Sequence, residues 1–176
     1  MKHPFDGDGM VTAISFSEEG AYFRNRFVRT KGYTRELEAG KMLYRGFGNL
    51  PGGPLKNAFR IKRKNLANTN VVFWGGNLLA LWEGGLPHRL DPKSLDTLGE
   101  TMLGDTIDEK RPTFSAHPRM DTNNDRLVGF GSNNMKESMV YEYDNNFKLI
   151  KSRLVKEARG LLHDFAVTKD HYIFYS

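Results

Sequence analysis

Cysteine is absent from the 176 residues. Its absence removes disulfides, thiolate zinc sites, iron–sulfur ligation and a cysteine nucleophile, and it fits a reducing compartment. Long hydrophobic runs are missing too. No stretch approaches the roughly 20 consecutive apolar residues that span a bilayer, and the opening segment from Met1 to Asp6 lacks the apolar core of a secretory leader. A cytoplasmic protein is the expectation. Nor is there an excess of one charge along any long region: 26 basic and 21 acidic residues, net +5, are interspersed. That mixture reads as solvated surface and disfavours a nucleic-acid binder. The local exception is the basic run Arg60, Lys62, Arg63 and Lys64 around Ile61. It reads as an exposed face or loop, or as a peripheral contact with lipid headgroups, useful to an enzyme that draws a greasy substrate from a membrane.

Helical periodicity is scarce as well. Only Tyr33 to Met42 carries it, with Thr34 as the expected N-cap and Glu36 and Glu38 near the positive end of the helix dipole. Elsewhere apolar residues recur with period two, or in short runs broken by glycine and Asn/Asp clusters, which is the pattern of strands and turns. Met10 to Phe16 and Tyr22 to Val28 read as one hairpin. Val71 to Trp74 and Leu78 to Trp82 read as another, turning at Gly75 and Gly76. Arg126 to Phe130, Ser138 to Tyr143 and Phe147 to Val155 alternate, with a turn at Asp144, and Phe165 to Thr168 with His171 to Tyr175 form a last hairpin. Such a chain is all-β: a sandwich, a barrel or part of a propeller. The stretches Asp91 to Leu98 and Tyr143 to Leu149 both run from an aspartate turn into a leucine-bearing strand, a recurrence expected of propeller blades. The apolar segment Tyr172 to Tyr175 is followed only by Ser176 and reads as a strand cut from its sheet.

His117 and His163 are the candidate functional residues. Each sits beside a short apolar run with a rigid or acidic neighbour, Pro118 or Asp164, that could fix how its ring points. A lone histidine in such a setting is more often a hydrogen-bonded core residue than a ligand, yet imidazole is the commonest protein ligand for transition metals. His88, after Pro87, reads as a turn residue. Glu83, before Gly84 and Gly85, reads by itself as an ordinary turn carboxylate. Asp164 would point away from the His163 face if the segment is a strand. Asp6 and Asp8 lack the further oxygen ligands of a calcium loop and read as a tight turn. The glycines at 46, 48, 52 and 53 lack the strand-to-helix context of a phosphate cradle, and Ser132 lacks nucleophile-elbow spacing.

Several segments together resemble the carotenoid cleavage oxygenases, a family that includes apocarotenoid oxygenases and lignostilbene-cleaving enzymes. They are Phe5 to Met10, Arg26 to Thr30, Ala67 to Val72, Leu79 to Gly85, Leu90 to Leu98, Phe114 to Pro118 and His163 to Thr168, in the family's order and over most of the chain. The resemblance implies a partial seven-bladed β-propeller, with residues 1–176 as the N-terminal portion of one domain holding roughly three to four blades. It implies Fe(II) on the propeller axis, held by four histidines, three of them backed by glutamates. It also implies O2-dependent cleavage of a conjugated C=C bond in a carotenoid, apocarotenoid or stilbene-like substrate, giving carbonyl products. His117 and His163 match the first two iron ligands, and Glu83 matches the first supporting glutamate. An imidazole whose second nitrogen donates to a carboxylate is better aimed and more basic, as an iron ligand should be. The remaining histidines, His3, His88 and His171, sit in none of the family's ligand segments, so the third and fourth ligands are expected beyond this chain, and the chain alone is expected not to turn over. Phe47, Phe73, Trp74 and Trp82 are material for an apolar tunnel or for an all-β core. The alternative is a non-catalytic β fragment or a propeller-type binding module.

Overall fold

The computed structural model describes residues 3–46, 63–110, 112–133 and 135–175. Among them are twelve strands, one α-helix and a 3-10 turn at Pro4–Asp6. Strands β1 (Met10–Ser17) and β2 (Gly20–Phe27) form a two-stranded hairpin. β3 (Asn70–Trp74), β4 (Asn77–Leu81), β5 (His88–Leu90) and β6 (Thr97–Glu100) form a four-stranded antiparallel meander. β7 (Arg119–Asp121), β8 (Arg126–Asn133), β9 (Glu137–Tyr143) and β10 (Leu149–Val155) repeat it, and β11 (Phe165–Val167) pairs with β12 (Tyr172–Phe174).

The two meanders explain the sequence recurrence. Asp91 and Asp144 each head the turn between the third and fourth strands of a meander. Asp91 Oδ1 accepts from the Lys93 and Ser94 amides at 2.8 and 2.7 Å, and Asp144 Oδ1 from the Asn146 and Lys148 amides at 2.8 and 2.9 Å. An aspartate that satisfies two turn amides substitutes for backbone partners the turn cannot supply. At the other predicted turn, Gly75 and Gly76 hold φ of 52° and 72°, the left-handed pair that a two-residue hairpin demands.

Period-two alternation sends each strand's residues to two different cores, so the sheets stack face to face like consecutive blades. Leu79 and Leu81 of β4 join Leu127 of β8 and Tyr141 and Tyr143 of β9 in one cluster, whereas Ala80 and Leu90 join Val11 and Val28 in a second. Val128, Phe130 and Val140 face the other way, toward Leu162 and Phe165, in a third. Gly129 lies where a Cβ would come 2.2 Å from the Phe114 ring; its bare backbone lets the segment leading to His117 lie flat against β8. The last hairpin is tied on by Tyr172, whose hydroxyl donates to the buried Glu142. Burial first, then the Glu142 carboxylate, pushes the Tyr172 phenol up to about 12.

Several expectations need correction. Helix α1 spans Lys31–Ala39, and its N-cap is Thr30, whose side chain accepts from the Tyr33 amide at 3.0 Å. Thr34 is inside the helix, and Glu36 belongs to its C-terminal half, where it accepts from the Leu43 and Tyr44 amides and from Lys64. The helix ends at Gly40 in the left-handed conformation. No strand is expected from the sequence at β5 or β7, whereas β6 is the leucine-bearing strand expected after the Asp91 turn. His88 is not a turn residue: it opens β5 and is buried.

Of the basic run, residues 60–62 lie outside the described residues, as do Phe47 and the glycines at 48, 52 and 53. Lys64 faces inward, its side chain 8% exposed and its ammonium paired with Asp8 and Glu36 at 2.8 and 2.6 Å. Burial alone would lower its pKa, but the two carboxylates outweigh that and raise it. The same ion pair occupies Asp8. Among the described residues no helix is long and apolar enough to cross a membrane.

Candidate metal centre

The first strand of each later sheet is preceded by a short non-regular segment, and those segments converge. His117 occupies the bend before β7 and His163 the coil before β11, each two residues ahead of its strand. The His117 segment is pinned on both sides. The Phe114 amide donates to the Gly85 carbonyl at 3.1 Å, the Ser115 amide to the Phe130 carbonyl at 2.6 Å, and the Asn70 side chain to the Ala116 carbonyl at 2.9 Å. Phe114 and Ala116 are themselves buried in the core between the meanders. Ser115 is buried with them, and His117, in the bend that follows, is the first side chain of the segment to reach the open side.

There it meets His163. The two Nε2 atoms lie 3.1 Å apart, with ring centroids at 4.7 Å and planes inclined at 72°. On the far side of its ring, His163 Nδ1 donates to Glu83 Oε1 at 2.9 Å, since a carboxylate can only accept. That turns Nε2, the ring's other nitrogen, toward His117. Glu83 stands in the turn after β4, as expected of a turn carboxylate, but the fold turns it across to a ring 80 residues away in sequence. Its other oxygen accepts from the Thr69 hydroxyl at 3.3 Å, so both oxygens are engaged.

The donor set suits a divalent transition metal. Imidazole nitrogens about 2.1 Å from such an ion and at right angles to one another stand about 3 Å apart, which is close to the 3.1 Å observed. The neutral ring opposite a carboxylate is the arrangement that raises ligand basicity. Among the described residues no cluster brings three or more His, Cys, Asp or Glu side chains together in the manner of a complete metal cage.

Asp164 does not orient the His163 ring. It turns away, as alternation predicts, and both its oxygens meet Arg119 Nη2 at 2.7 and 2.6 Å. Arg119, Asn70 and Thr69 were not legible as site residues: Arg119 and Asn70 reach segments that lead into other sheets, and Thr69 meets Glu83 only because the β3–β4 hairpin brings its two ends together. Of the aromatic residues, Trp82 is buried beside Glu83, Trp74 donates from Nε1 to the Asp144 carbonyl at 2.7 Å and so joins the meanders, and Phe73 is exposed. His3 and His171 lie away from the pair, the first capping the 3-10 turn and the second in the β11–β12 turn.

Comparison with known proteins gives a consistent result. The family model for retinal pigment epithelial membrane protein matches residues 1–176. The apocarotenoid-15,15'-oxygenase of Synechocystis sp. is 46% identical over 186 residues, covering 99% of this chain and 38% of that protein. A resveratrol cleavage oxygenase of Chaetomium globosum is 32% identical, over 94% of this chain and 29% of its own length. Among solved structures, the cobalt-substituted apocarotenoid oxygenase of Synechocystis superposes with a TM-score of 0.86 at 44% identity, covering 99% of this chain and 39% of that one. The chain thus spans well under half the length of the relatives it matches.

Proposed function

The chain belongs to the retinal pigment epithelial membrane protein family, the carotenoid oxygenases, and from that premise we propose that it contributes half of a non-haem Fe(II) centre for oxidative cleavage of a conjugated C=C bond. The two blades and flanking hairpins are part of the family's β-propeller. His117 and His163 are the metal ligands supplied here, and Glu83 is the carboxylate that orients His163. The substrate class is an apolar carotenoid, apocarotenoid or stilbene-like molecule, cleaved with O2 to carbonyl products.

The observation that carries this reading is the chain of contacts Glu83, His163, His117, in which one ring is held by a carboxylate and presents its remaining nitrogen 3.1 Å from the other. Iron bound there would supply the open coordination positions at which O2 is activated. The residues themselves do simpler work. Glu83 keeps the Nδ1 proton of His163, which holds Nε2 unprotonated toward the metal position. Thr69 donates to the second Glu83 oxygen and limits its rotation. Asn70 holds the carbonyl that precedes His117.

A second reading follows from the absence of a three-ligand cluster among the described residues: the two rings form an ordinary hydrogen bond in a non-catalytic β module. Anaerobic titration of the purified chain with Fe(II) or Co(II) separates the two. Metal binding that is lost in His117→Ala and in His163→Ala supports the ligand role. Binding indifferent to both substitutions, or none at all, favours the module. An aerobic assay of the iron-loaded chain with an apocarotenal, read as aldehyde product, then tests turnover by these residues alone, and none is expected.

A further inference from the structure

His117 and His163 are 46 residues apart in sequence and lie on separate sheets, yet their ring nitrogens meet at 3.1 Å. Something must hold the two segments at that spacing. Neither ring is deeply buried, and the His163 side chain is 60% exposed, so packing around the rings does not confine them. Besides the shared core of Phe130 with Leu162 and Phe165 and the tie from Tyr172 to Glu142, a polar link beside the rings is Arg119. Its Nη2 meets both oxygens of Asp164 at 2.7 and 2.6 Å, and its Nε donates to the Phe165 carbonyl at 2.8 Å. Asp164 Oδ1 also accepts from the Phe165 amide at 2.7 Å. One guanidinium on the first residue of β7 therefore grips the side chain of one residue and the backbone of the next at the start of β11.

The positions are informative. Arg119 follows His117 by two residues and Asp164 follows His163 by one. The clamp thus sits beside the rings and ties together the two backbones that carry them. A planar guanidinium gripping two partners from neighbouring nitrogens fixes direction as well as distance, which a lysine ammonium does not. Both side chains are 45% exposed, and ion pairs in that setting contribute little to global stability. We propose that Arg119 is a positioning residue, whose pairing with Asp164 and Phe165 sets the separation of the His117 and His163 imidazoles before any metal binds. Only the consequence for metal affinity rests on the ligand reading above.

The test uses the whole chain with 15N-labelled histidine. Two quantities are measured: the NOE between the His117 and His163 ring protons without metal, and Co(II) affinity from the visible absorption of the bound ion. Arg119→Ala and Asp164→Asn are expected to weaken the ring-to-ring NOE and to lower Co(II) affinity about tenfold, with the thermal midpoint nearly unmoved. Arg119→Lys should restore part of the affinity. If Arg119→Ala fails to fold, Asp164→Asn and Arg119→Lys, which keep size, decide the matter. An unchanged NOE in the folded variants overturns the proposal, as does a fall in thermal midpoint with NOE and affinity both retained. If Co(II) binding in the unsubstituted chain ignores His117 and His163, the ligand reading fails by itself, and the metal-free NOE still judges Arg119.

Discussion

Among the described residues two histidine–glutamate pairs stand out, and they differ in burial and in distance. His88 and Glu100 face each other across β5 and β6, with Nε2 to Oε1 at 3.9 Å, and the histidine side chain is 2% exposed. His163 and Glu83 meet at 2.9 Å with the histidine side chain 60% exposed. In the first pair, burial pushes the histidine pKa down, and Glu100 only partly opposes it. That ring is a neutral core residue, too far from its glutamate for a hydrogen bond. In the second, a short hydrogen bond aims the ring and turns its other nitrogen toward His117. Apolar neighbours by themselves do not rank one histidine above another; the family's motif order singled out His117 and His163 and left His88 aside. The proposed ligand differs from the core histidine in having one ring nitrogen held by a carboxylate and the other turned toward a second imidazole.

The largest effect that sharpens this contrast is expected from Glu83→Gln. It should lower Co(II) affinity about 10- to 100-fold, or about 1.4 to 2.7 kcal/mol, as loss of a carboxylate behind a ligand histidine typically does, while thermal stability stays near its original value. Isothermal titration with parallel melts would check both. Unaltered affinity would break the comparison, since Glu83 would then be no more than a turn carboxylate.

The reverse pattern is expected from His88→Ala: metal affinity retained, and stability reduced by about 1 to 2 kcal/mol as a buried side chain is lost, measured by urea unfolding at neutral pH. The pH dependence has a definite sign. Because the folded pKa of His88 is lowered from 6.5, the unfolded chain takes up that proton first. The stability associated with the neutral ring is complete above the unfolded value and is lost as pH falls through the folded pKa. His88→Ala should therefore lose stability less steeply on acidification below 6.5 than the unsubstituted chain does.

The smallest effect is expected from Glu100→Gln. Its carboxylate is partly exposed and also pairs with the exposed Lys31 at 3.0 Å, so the cost at neutral pH should stay below about 1 kcal/mol. Removing the charge that raises the His88 pKa should make the acid loss steeper. A shallower loss in urea unfolding at acidic pH would show that Glu100 is not the group opposing burial.

Much of the fold could be read along the chain because its cause is local. The Gly75–Gly76 turn, the alternation in β4 and β9, and the Asp91 and Asp144 turns each depend on residues within a few positions. β5 and β7, three residues each and mostly polar, do not stand out from loop, whereas the equally short β11 and β12 are apolar throughout. The helix start was misplaced for a related reason: Thr30 and Thr34 are equally good caps by composition, and Thr30 prevails because it is buried against the body of the protein while its hydroxyl caps the Tyr33 amide.

The site divides in the same way. His117, His163 and Glu83 were legible through ordered motifs that resemble a known family, whereas Arg119, Asn70 and Thr69 were not. By itself the sequence determined an all-β chain of short hairpins, its family, and the three side chains proposed for a metal centre, since hydrophobic period and motif order are properties of neighbours along the chain. Only the tertiary structure decided that His88 is buried and neutral, that Lys64 faces inward, and that Arg119 and Asp164 clamp the histidine segments together. Those outcomes depend on which blade faces which. Stacking through three separate cores brings residues 45 to 80 positions apart into hydrogen-bonding distance, a separation at which no local pattern survives.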